Sequence, residues 1–350
     1  MRTGISGRCI ALACEGGGSH ASFTAGVLER LLADDIRIVA LSGTSGGAVS
    51  AMLAWRGLLE DGRGDAVRRL RAFWRDVAVD GWEAVGGAWA LFGARMIGEF
   101  ASPEISPYRI PVDLRRHLAS VFDRHCGFAG IPDLLRGDPA APRLLIGASD
   151  VRTGQFSVFR SHAVRHHGVD HPATTMTADV LLASAALPTL FRAVHIAGHD
   201  YWDGVFAQNP PVRELPDMVR TIPGDVDLDE IWIIRINPQT RQTVPTSMAE
   251  IRDRRNELSG IISLNQELYF IDRINRLVAQ RRLDGTKYRQ IALRAITMDG
   301  RFAAGLDYES KRDRSRTLIE RLRRHGLEQA ERFLRAPDDH LLSVPGSGTR

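Results

Sequence analysis

The feature that most constrains this chain is a serine between glycines at a predicted turn from a strand to a helix. The segment Gly43-Thr44-Ser45-Gly46-Gly47 follows the apolar run Ile36–Leu41 and precedes Ala48–Leu59, which is predicted to be a helix. Such a turn presents a serine hydroxyl clear of its own backbone. The same pattern is also typical of a serine that only caps the following helix. At this point both interpretations of Ser45 stay open.

A triple glycine, Gly16-Gly17-Gly18, follows the first predicted strand, Cys9–Glu15. Between that strand and Ile36–Leu41, the segment Ser22–Asp34 has the apolar spacing of a helix. Two strands joined by a helix are expected to be parallel neighbours with a right-handed crossover. Because parallel strands end at the same edge of a sheet, we expect the glycines to face Ser45 across a crevice.

The rest of the chain continues the alternation of helices and strands. The further predicted elements are a helix at Ala66–Val79, a strand hairpin at Leu144–Asp150 and Gln155–Arg160, a helix at Ala178–Ala186, a strand at Ile231–Ile236, a helical stretch at Ala249–Arg282 broken near Gly260, and a helix at Leu318–Leu334. We therefore expect a single three-layer α/β/α domain with a central, mainly parallel sheet over residues 1–335. Residues 336–350 are predicted to be a disordered tail.

Composition excludes several classes of protein. Of the 350 residues, 44% are apolar and 25% are charged, which is typical of a globular protein. No apolar run is long enough for a membrane span, and the first apolar run is too short for a secretory signal. The three cysteines lack metal-binding spacing, which favours reduced thiols and a cytoplasmic location.

The formal net charge of +4 comes mostly from arginine. The arginine clusters lie on predicted helices and are interpreted as solvated faces, some of which can meet an anionic membrane surface at its periphery. No aromatic residues are interleaved with them as in a nucleic-acid-binding module, so we expect no nucleic-acid partner.

Acyl transfer at Ser45 requires a base for the hydroxyl proton and donors for the oxyanion. The backbone N–H groups of Gly16, Gly17 and Gly18 can supply the donors, because residues without Cβ let the backbone approach a ligand closely. Gly16, Gly18 and Ala21 also fit a dinucleotide fingerprint, but the second strand ends in Ser42-Gly43 without the acidic residue that a ribose needs. A phosphate-binding P-loop is excluded because no Gly-Lys-Ser/Thr follows the glycines.

A Ser-His-Asp triad is disfavoured by the order of the elements. Only one predicted strand precedes the strand that leads to Ser45, whereas an α/β-hydrolase has several. The histidines after Asp203 are His325, in an arginine-rich helix, and His340, in the tail. Neither lies at the end of a strand.

Over roughly residues 8–335 the chain resembles the patatin-like phospholipases, which include patatin and the neuropathy target esterase group. The resemblance rests on ordered blocks: Glu15-Gly16-Gly17-Gly18, Gly43-Thr44-Ser45-Gly46-Gly47, Ala183-Ser184-Ala185-Ala186-Leu187-Pro188, Asp203-Gly204-Val205 and Asn209-Pro210-Pro211-Val212. Segments at 150–159, 255–257 and 265–268 are also similar to the family.

This resemblance implies a lipid acyl hydrolase with a Ser-Asp dyad and an acyl-enzyme, acting on a lipid or phospholipid ester without a cofactor or metal. Ser45 would be the nucleophile and Asp203 the general base, and Gly16, Gly17 and Gly18 would form the oxyanion hole. The alternative is a catalytically idle patatin-like protein that only binds lipid or membrane.

Two departures from the family pattern concern the substrate and the turn after Asp203. Where the family usually has Arg or Lys and then Gly after the glycine triplet, this chain has His20 and Ala21. His20 is interpreted either as a substitute that binds a lipid phosphate or as an ordinary surface histidine. Val205 stands where Gly or Ala is common.

Two further groups are given structural interpretations. The cluster His162, His166, His167 and His171 has the spacing of a metal site but is interpreted as a polar loop, and His195 and His199 are interpreted as structural. The apolar stripe Val85, Trp89, Phe92 and Met96 predicts either core packing or a cover for an acyl chain.

Overall fold

The predicted strand-helix-strand unit is present at the start of the chain. The computed structural model describes residues 7–78, 106–109, 114–166, 168–188, 190–224, 226–241, 243–285, 288–306, 310–311 and 313–342. Strand β1 (Cys9–Cys14) leads through helix α1 (Ala21–Leu32) to strand β2 (Arg37–Gly43). β1 and β2 are parallel neighbours, as predicted.

The later helices and strands that were predicted are present with small changes in their bounds, and the structure adds several short elements that were not predicted. The helices are α2 (Gly46–Glu60), α3 (Arg63–Val77), α4 (Leu114–Cys126), α5 (Ile131–Gly137), α6 (Ala178–Ala185), α7 (Leu215–Val219), α8 (Met248–Ala279), α9 (Gly300–Ala303) and α10 (Arg316–Arg335). The strands are β3 (Arg143–Asp150), β4 (Phe156–Arg160), β5 (Val164–His166), β6 (Val169–His171), β7 (Val194–Ile196), β8 (His199–Asp203), β9 (Glu230–Arg235) and β10 (Ala292–Thr297).

The central sheet has the strand order β10-β9-β1-β2-β3-β8-β7, with β4 also paired to β3. The five strands from β10 to β3 are parallel to their neighbours. The strands β4, β7 and β8 pair in the antiparallel direction. The predicted hairpin of β3 and β4 and the mainly parallel sheet are therefore confirmed.

Helices cover both faces of the sheet, which gives the predicted α/β/α layers. In β1, Ile10 and Leu12 join one apolar core, which includes Phe23 of α1, and Ala11 and Ala13 join the other. The first core also includes side chains of α2, α3 and α10, and the second includes side chains of α7 and α8. Alternate residues of one strand thus pack into two cores because successive side chains point to opposite faces.

The predicted break in the long helix near Gly260 is wrong, because α8 is continuous through this residue. A Cβ at position 260 would lie 2.9 Å from Nδ2 of Asn209 and 3.2 Å from its Cβ. Gly260 is therefore needed for close approach between α8 and the segment that holds Asn209. The glycine serves packing and does not end the helix.

Residues 336–342 of the predicted tail are among the described residues. Residues Pro337–His340 form a 3-10 turn, and Leu341 makes a β-bridge with Arg294 of β10. The Arg294 guanidinium also pairs with Asp338 at 2.9 Å. Residues 343–350 lie outside the described residues, so the division at 335 stays a prediction.

The predictions about membranes can be compared with the described residues only in part. The apolar stripe Val85, Trp89, Phe92 and Met96 lies outside the described residues. Within the described ranges, no helix combines the length and hydropathy that crossing a bilayer requires. The cytoplasmic location stays a prediction, although Cys9, Cys14 and Cys126 are all buried and free.

Candidate active site

Ser45 occupies a strained turn between β2 and α2. Its backbone has φ 54° and ψ −127°, a conformation with positive φ that residues with a side chain rarely adopt. A non-glycine residue held in this region stores strain, and such strain is concentrated at functional sites. The side chain is mostly buried, at 8% exposure. The turn therefore has the strained backbone geometry expected of a serine nucleophile, and the Ser45 side chain makes no hydrogen-bonded cap to α2.

The sheet brings Asp203 close to this turn because β2 and β8 pair with the same edge of β3. β2 pairs with β3 up to Gly43 opposite Ile146, and β8 pairs with β3 from Asp203 opposite Ala148. β4 pairs with β3 across both stretches, so β2 and β8 must share the other edge. They run in opposite directions, and their carboxyl ends meet. Ser45, two residues after β2, therefore lies beside Asp203, the last residue of β8.

The Asp203 carboxyl is fully buried at this junction. Its Oδ1 accepts a hydrogen bond of 2.9 Å from the N–H of Val205. Its Oδ2 is also buried and makes no hydrogen bond of normal geometry among the described residues. Burial raises the pKa of Asp203 to about 7, although the Val205 N–H and the nearby Ser45 hydroxyl act in the opposite direction. The carboxyl is therefore a stronger base than an exposed aspartate.

The glycine loop is fixed against the same turn by two amide side chains. The Gly16 N–H donates a 2.6 Å hydrogen bond to Oδ1 of Asn209, and the Gly16 carbonyl accepts one of 2.9 Å from Nδ2 of Asn237. This differs from the expectation for Gly16, because its N–H is already engaged and does not point to a free site. The N–H groups of Gly17 and Gly18 have no partner in the part of the chain that the structure describes.

Glu15 orients Asn237 from beneath the loop. Its buried carboxyl accepts hydrogen bonds from the N–H of Ile236 at 2.9 Å, the N–H of Asn237 at 3.0 Å and Nδ2 of Asn237 at 3.2 Å. Burial raises the pKa of Glu15, and the Arg235 charge and these hydrogen bonds oppose it. Asn209 and Asn237 are residues to which sequence reasoning gave no role in the site.

Gly18 is fixed from the side by Lys311. Gly18 has φ +58°, and a Cβ there would lie 2.3 Å from the Lys311 carbonyl oxygen, so only glycine fits. The same carbonyl accepts a 2.8 Å hydrogen bond from the N–H of Ser19. Nζ of Lys311 is paired with Asp253 at 2.8 Å and with Glu257 at 2.9 Å, both on α8. The loop is thus connected to the long helix through one lysine.

Ser184 also supports this site, although the sequence analysis gave it no individual role. Its Oγ accepts a 3.0 Å hydrogen bond from the Ser45 N–H and donates one of 2.7 Å to the Gly147 carbonyl. Two residues on, the Ala186 carbonyl accepts a 3.0 Å bond from the Asp203 N–H. The block 183–188 therefore holds the backbones of Ser45 and Asp203 together. In the sequence, the signal for this role was the place of residues 183–188 among the ordered blocks that resemble the family.

His20 lies beside the glycine loop. Of its two interpretations, that of an ordinary surface histidine is wrong. Its side chain is buried, at 3% exposure, and its Nε2 lies 2.8 Å from Oγ of Ser310. The alternative role of His20, binding a lipid phosphate, stays a prediction.

Several of the other histidines have structural partners. Nδ1 of His199 lies 2.7 Å from the Asp150 carboxyl, and His325 stacks on Phe302 with ring centroids 4.0 Å apart. Burial and the Arg143 charge lower the pKa of His162 to about 4. Over the described ranges, no three His, Cys, Asp or Glu side chains are grouped as metal ligands. His167 lies outside those ranges.

Similarity to this chain is found among solved structures at low sequence identity. No curated protein matches the sequence. Among solved structures, VipD from Legionella pneumophila is 12% identical with a TM-score of 0.44, covering 95% of this chain and 67% of that one. Human GIVD cytosolic phospholipase A2, solved with methyl gamma-linolenyl fluorophosphonate, is 13% identical with a TM-score of 0.46, covering 94% of this chain and 58% of that one. This chain thus spans little more than half the length of the human protein.

The sequence itself carries the assignment to a family. The model of the patatin-like phospholipases matches residues 12–216, which is more than half of the chain. This range includes the glycine loop, the Ser45 turn, the block around Ser184 and Asp203. The chain belongs to the patatin-like phospholipase family.

Proposed function

We propose that this protein is a serine lipid acyl hydrolase, with Ser45 as nucleophile and Asp203 as general base. The observation that carries the proposal is the end-to-end meeting of β2 and β8 on one edge of β3, which brings a strained serine to a buried carboxyl. A serine hydroxyl is a weak nucleophile unless a neighbouring base takes its proton. Asp203, the last residue of β8, is the base that we propose for this step.

The reaction would proceed through an acyl-enzyme. Oγ of Ser45 attacks the ester carbonyl while its proton passes to Asp203, and the protonated Asp203 then gives that proton to the departing alcohol oxygen. Asp203, again a carboxylate, takes a proton from a water molecule that attacks the acyl-Ser45 carbonyl. Collapse of this second intermediate releases the fatty acid and returns the proton to Ser45.

The oxyanion of each intermediate needs donors that are free before the reaction begins. The N–H groups of Gly17 and Gly18 meet this requirement, and the N–H of Gly16 does not while it binds Asn209. We therefore assign the oxyanion hole to Gly17 and Gly18, with Gly16 as the residue that fixes the loop through its two amide partners. The proposed oxyanion hole therefore has two N–H donors, whereas three were expected from the sequence.

The substrate class follows from the family. A patatin-like phospholipase is expected to act on fatty-acyl esters of lipids, with no metal or cofactor in the steps above. We assign the lipid phosphate to His20, because it stands two places after the glycine triplet, where the family usually has a basic residue. A cytoplasmic location at the membrane periphery is part of this proposal.

A serine-reactive fluorophosphonate and a short soluble acyl ester test the proposal together. The wild-type protein should be labelled at Ser45 and should hydrolyse the ester. Ser45→Ala should lose both properties, and Asp203→Asn should lower kcat by at least about a thousandfold. The exposed Ser120 and Asp133 provide the control substitutions Ser120→Ala and Asp133→Asn, which should change neither. A folded wild-type protein that is not labelled would instead support the catalytically idle lipid-binding protein.

A further inference from the structure

The outer face of α8 is apolar along most of its length. Ile251, Leu258, Ile262 and Tyr269 are 42%, 38%, 52% and 36% exposed. At 3.6 residues per turn, these four side chains lie within about 40° of a single line that runs for about 27 Å. The corresponding face of a surface helix normally carries polar side chains. We use "outer face of α8" for these four residues.

The acidic side chains of α8 do not neutralise this face. They point inward, cap the helix or pair with a neighbour: Glu250 binds the N–H of Ser247, Asp253 and Glu257 pair with Lys311, Glu267 accepts from the N–H of Val212, and Asp272 pairs with Arg276. The exposed residues Arg255 and Arg273 lie about 40° to one side of the apolar line. Among the described side chains of this helix, the outer face is therefore apolar with a basic border.

The inner face of α8 holds the segment that follows Asp203. Gly260 packs against Asn209, and Oγ of Ser263 donates a hydrogen bond to the Ala207 carbonyl. Oε2 of Glu267 accepts a 2.9 Å hydrogen bond from the Val212 N–H. The outer face is thus separated from this segment by one helix, a thickness of about 10 Å. A surface bound there would lie close to the candidate active site.

We propose that the outer face of α8 docks on an anionic phospholipid surface. The proposal rests on the proposed lipid hydrolysis and adds where the protein meets its substrate. Apolar side chains in line with a border of arginines match the acyl boundary and the anionic headgroups of a bilayer. Two copies of the chain paired along this line would place arginines in one seam without an acidic partner, so a lipid surface fits the charges better.

Sedimentation with vesicles tests the docking separately from catalysis. The Ser45→Ala protein, which cannot consume the lipid, is mixed with phosphatidylcholine vesicles with or without phosphatidylserine. It should bind more tightly when phosphatidylserine is present. Adding Leu258→Asp and Ile262→Asp should weaken this binding at least about tenfold. Adding Val169→Asp, at a residue that is 58% exposed on β6, is the matched control and should leave binding unchanged.

Further variants separate the competing explanations. Arg255→Gln with Arg273→Gln should remove most of the preference for phosphatidylserine. With Ser45 intact, Leu258→Asp and Ile262→Asp should slow hydrolysis of vesicle lipid but not of the short soluble ester. If the soluble ester is not hydrolysed by any variant, the proposed function fails while the binding result still stands.

Three results would overturn the docking proposal. The first is vesicle binding that Leu258→Asp and Ile262→Asp leave unchanged. The second is a dimer in solution that these substitutions dissociate, which would assign the face to a second copy. The third is a loss of unfolding free energy as large as that of a core substitution, which would show that the chain itself covers the face.

Discussion

Replacing Asp203 with asparagine should make the protein more stable at neutral pH while removing its activity. The reason is that a fully buried carboxyl without a cationic partner is held in its charged form at a cost in free energy. Burial raises the pKa of Asp203 from 3.8 to about 7. Asparagine keeps the oxygen that accepts from the Val205 N–H but never ionises.

The size and sign of the effect follow from the two pKa values. Below pH 3.8 the carboxyl is protonated in both the folded and the unfolded chain, so the ionisation contributes nothing. Between pH 3.8 and about 7 the unfolded chain releases the proton and the folded chain keeps it, so rising pH favours unfolding. Each pH unit costs about 1.4 kcal/mol, which gives a total of roughly 4 kcal/mol that is reached near pH 7 and is constant above it.

The assay is urea unfolding followed by tryptophan fluorescence, at several pH values from 4 to 8. The free energy of unfolding of Asp203→Asn minus that of the wild type should rise by roughly 4 kcal/mol over this range, and comparing two proteins at each pH cancels their other titrating groups. Ser45→Ala is the matched control, because it keeps the carboxyl and should keep the pH dependence of the wild type. A difference between Asp203→Asn and wild type that does not change with pH would refute the assignment of a buried, unpaired carboxyl.

Three further predictions concern the same site. The kcat/KM of the wild type for a soluble ester should rise with pH and level off above about 7, since the proposed base must be ionised; a profile that is flat from pH 5 to 9 contradicts this. Asn209→Ala should lower kcat about ten- to a hundredfold with little change in KM, because the Gly16 N–H loses its hydrogen-bond acceptor. The control Gln290→Ala removes an exposed amide and should have no effect in the same steady-state assay. Gly260→Ala should lower the free energy of unfolding by about 1–3 kcal/mol through the contact with Asn209, although alanine is the better helix former; Gly285→Ala, where a Cβ meets nothing within 4 Å, should be tolerated.

Local patterns in the sequence were sufficient to predict the first strands and helices, but not the contacts between distant segments of the chain. The alternation and spacing of apolar residues predicted β1, α1, β2 and α2 to within a few residues, because each pattern is set by the element itself. Gly260 shows the limit. A glycine in a helix is compatible with a break or with close packing, and only the position of Asn209, far away in the sequence, decides between them.

The candidate site divides in the same way. Ser45 and the glycine loop were placed from the strand-helix-strand unit, whose handedness and strand direction are general rules. The engagement of the Gly16 N–H was not predictable, because Asn209 lies 193 residues away and its position depends on the order of strands in the whole sheet. Asp203 came from a resemblance to a family, and the reversed direction of β8 gives the physical reason for its position beside Ser45.

The burial of Asp203 also bears on how a serine can be activated without a histidine. An exposed aspartate has a pKa near 4 and accepts a serine proton poorly, whereas a free histidine has a pKa of about 6.5. Burial brings the pKa of Asp203 to about 7, so that its basicity becomes comparable with that of an imidazole. The free energy that the fold loses by burying this carboxyl is then the source of its strength as a base. A substitution near β8 that admits water to Asp203 should therefore stabilise the protein at neutral pH and, at the same time, lower both the pKa of the rate profile and the maximal rate.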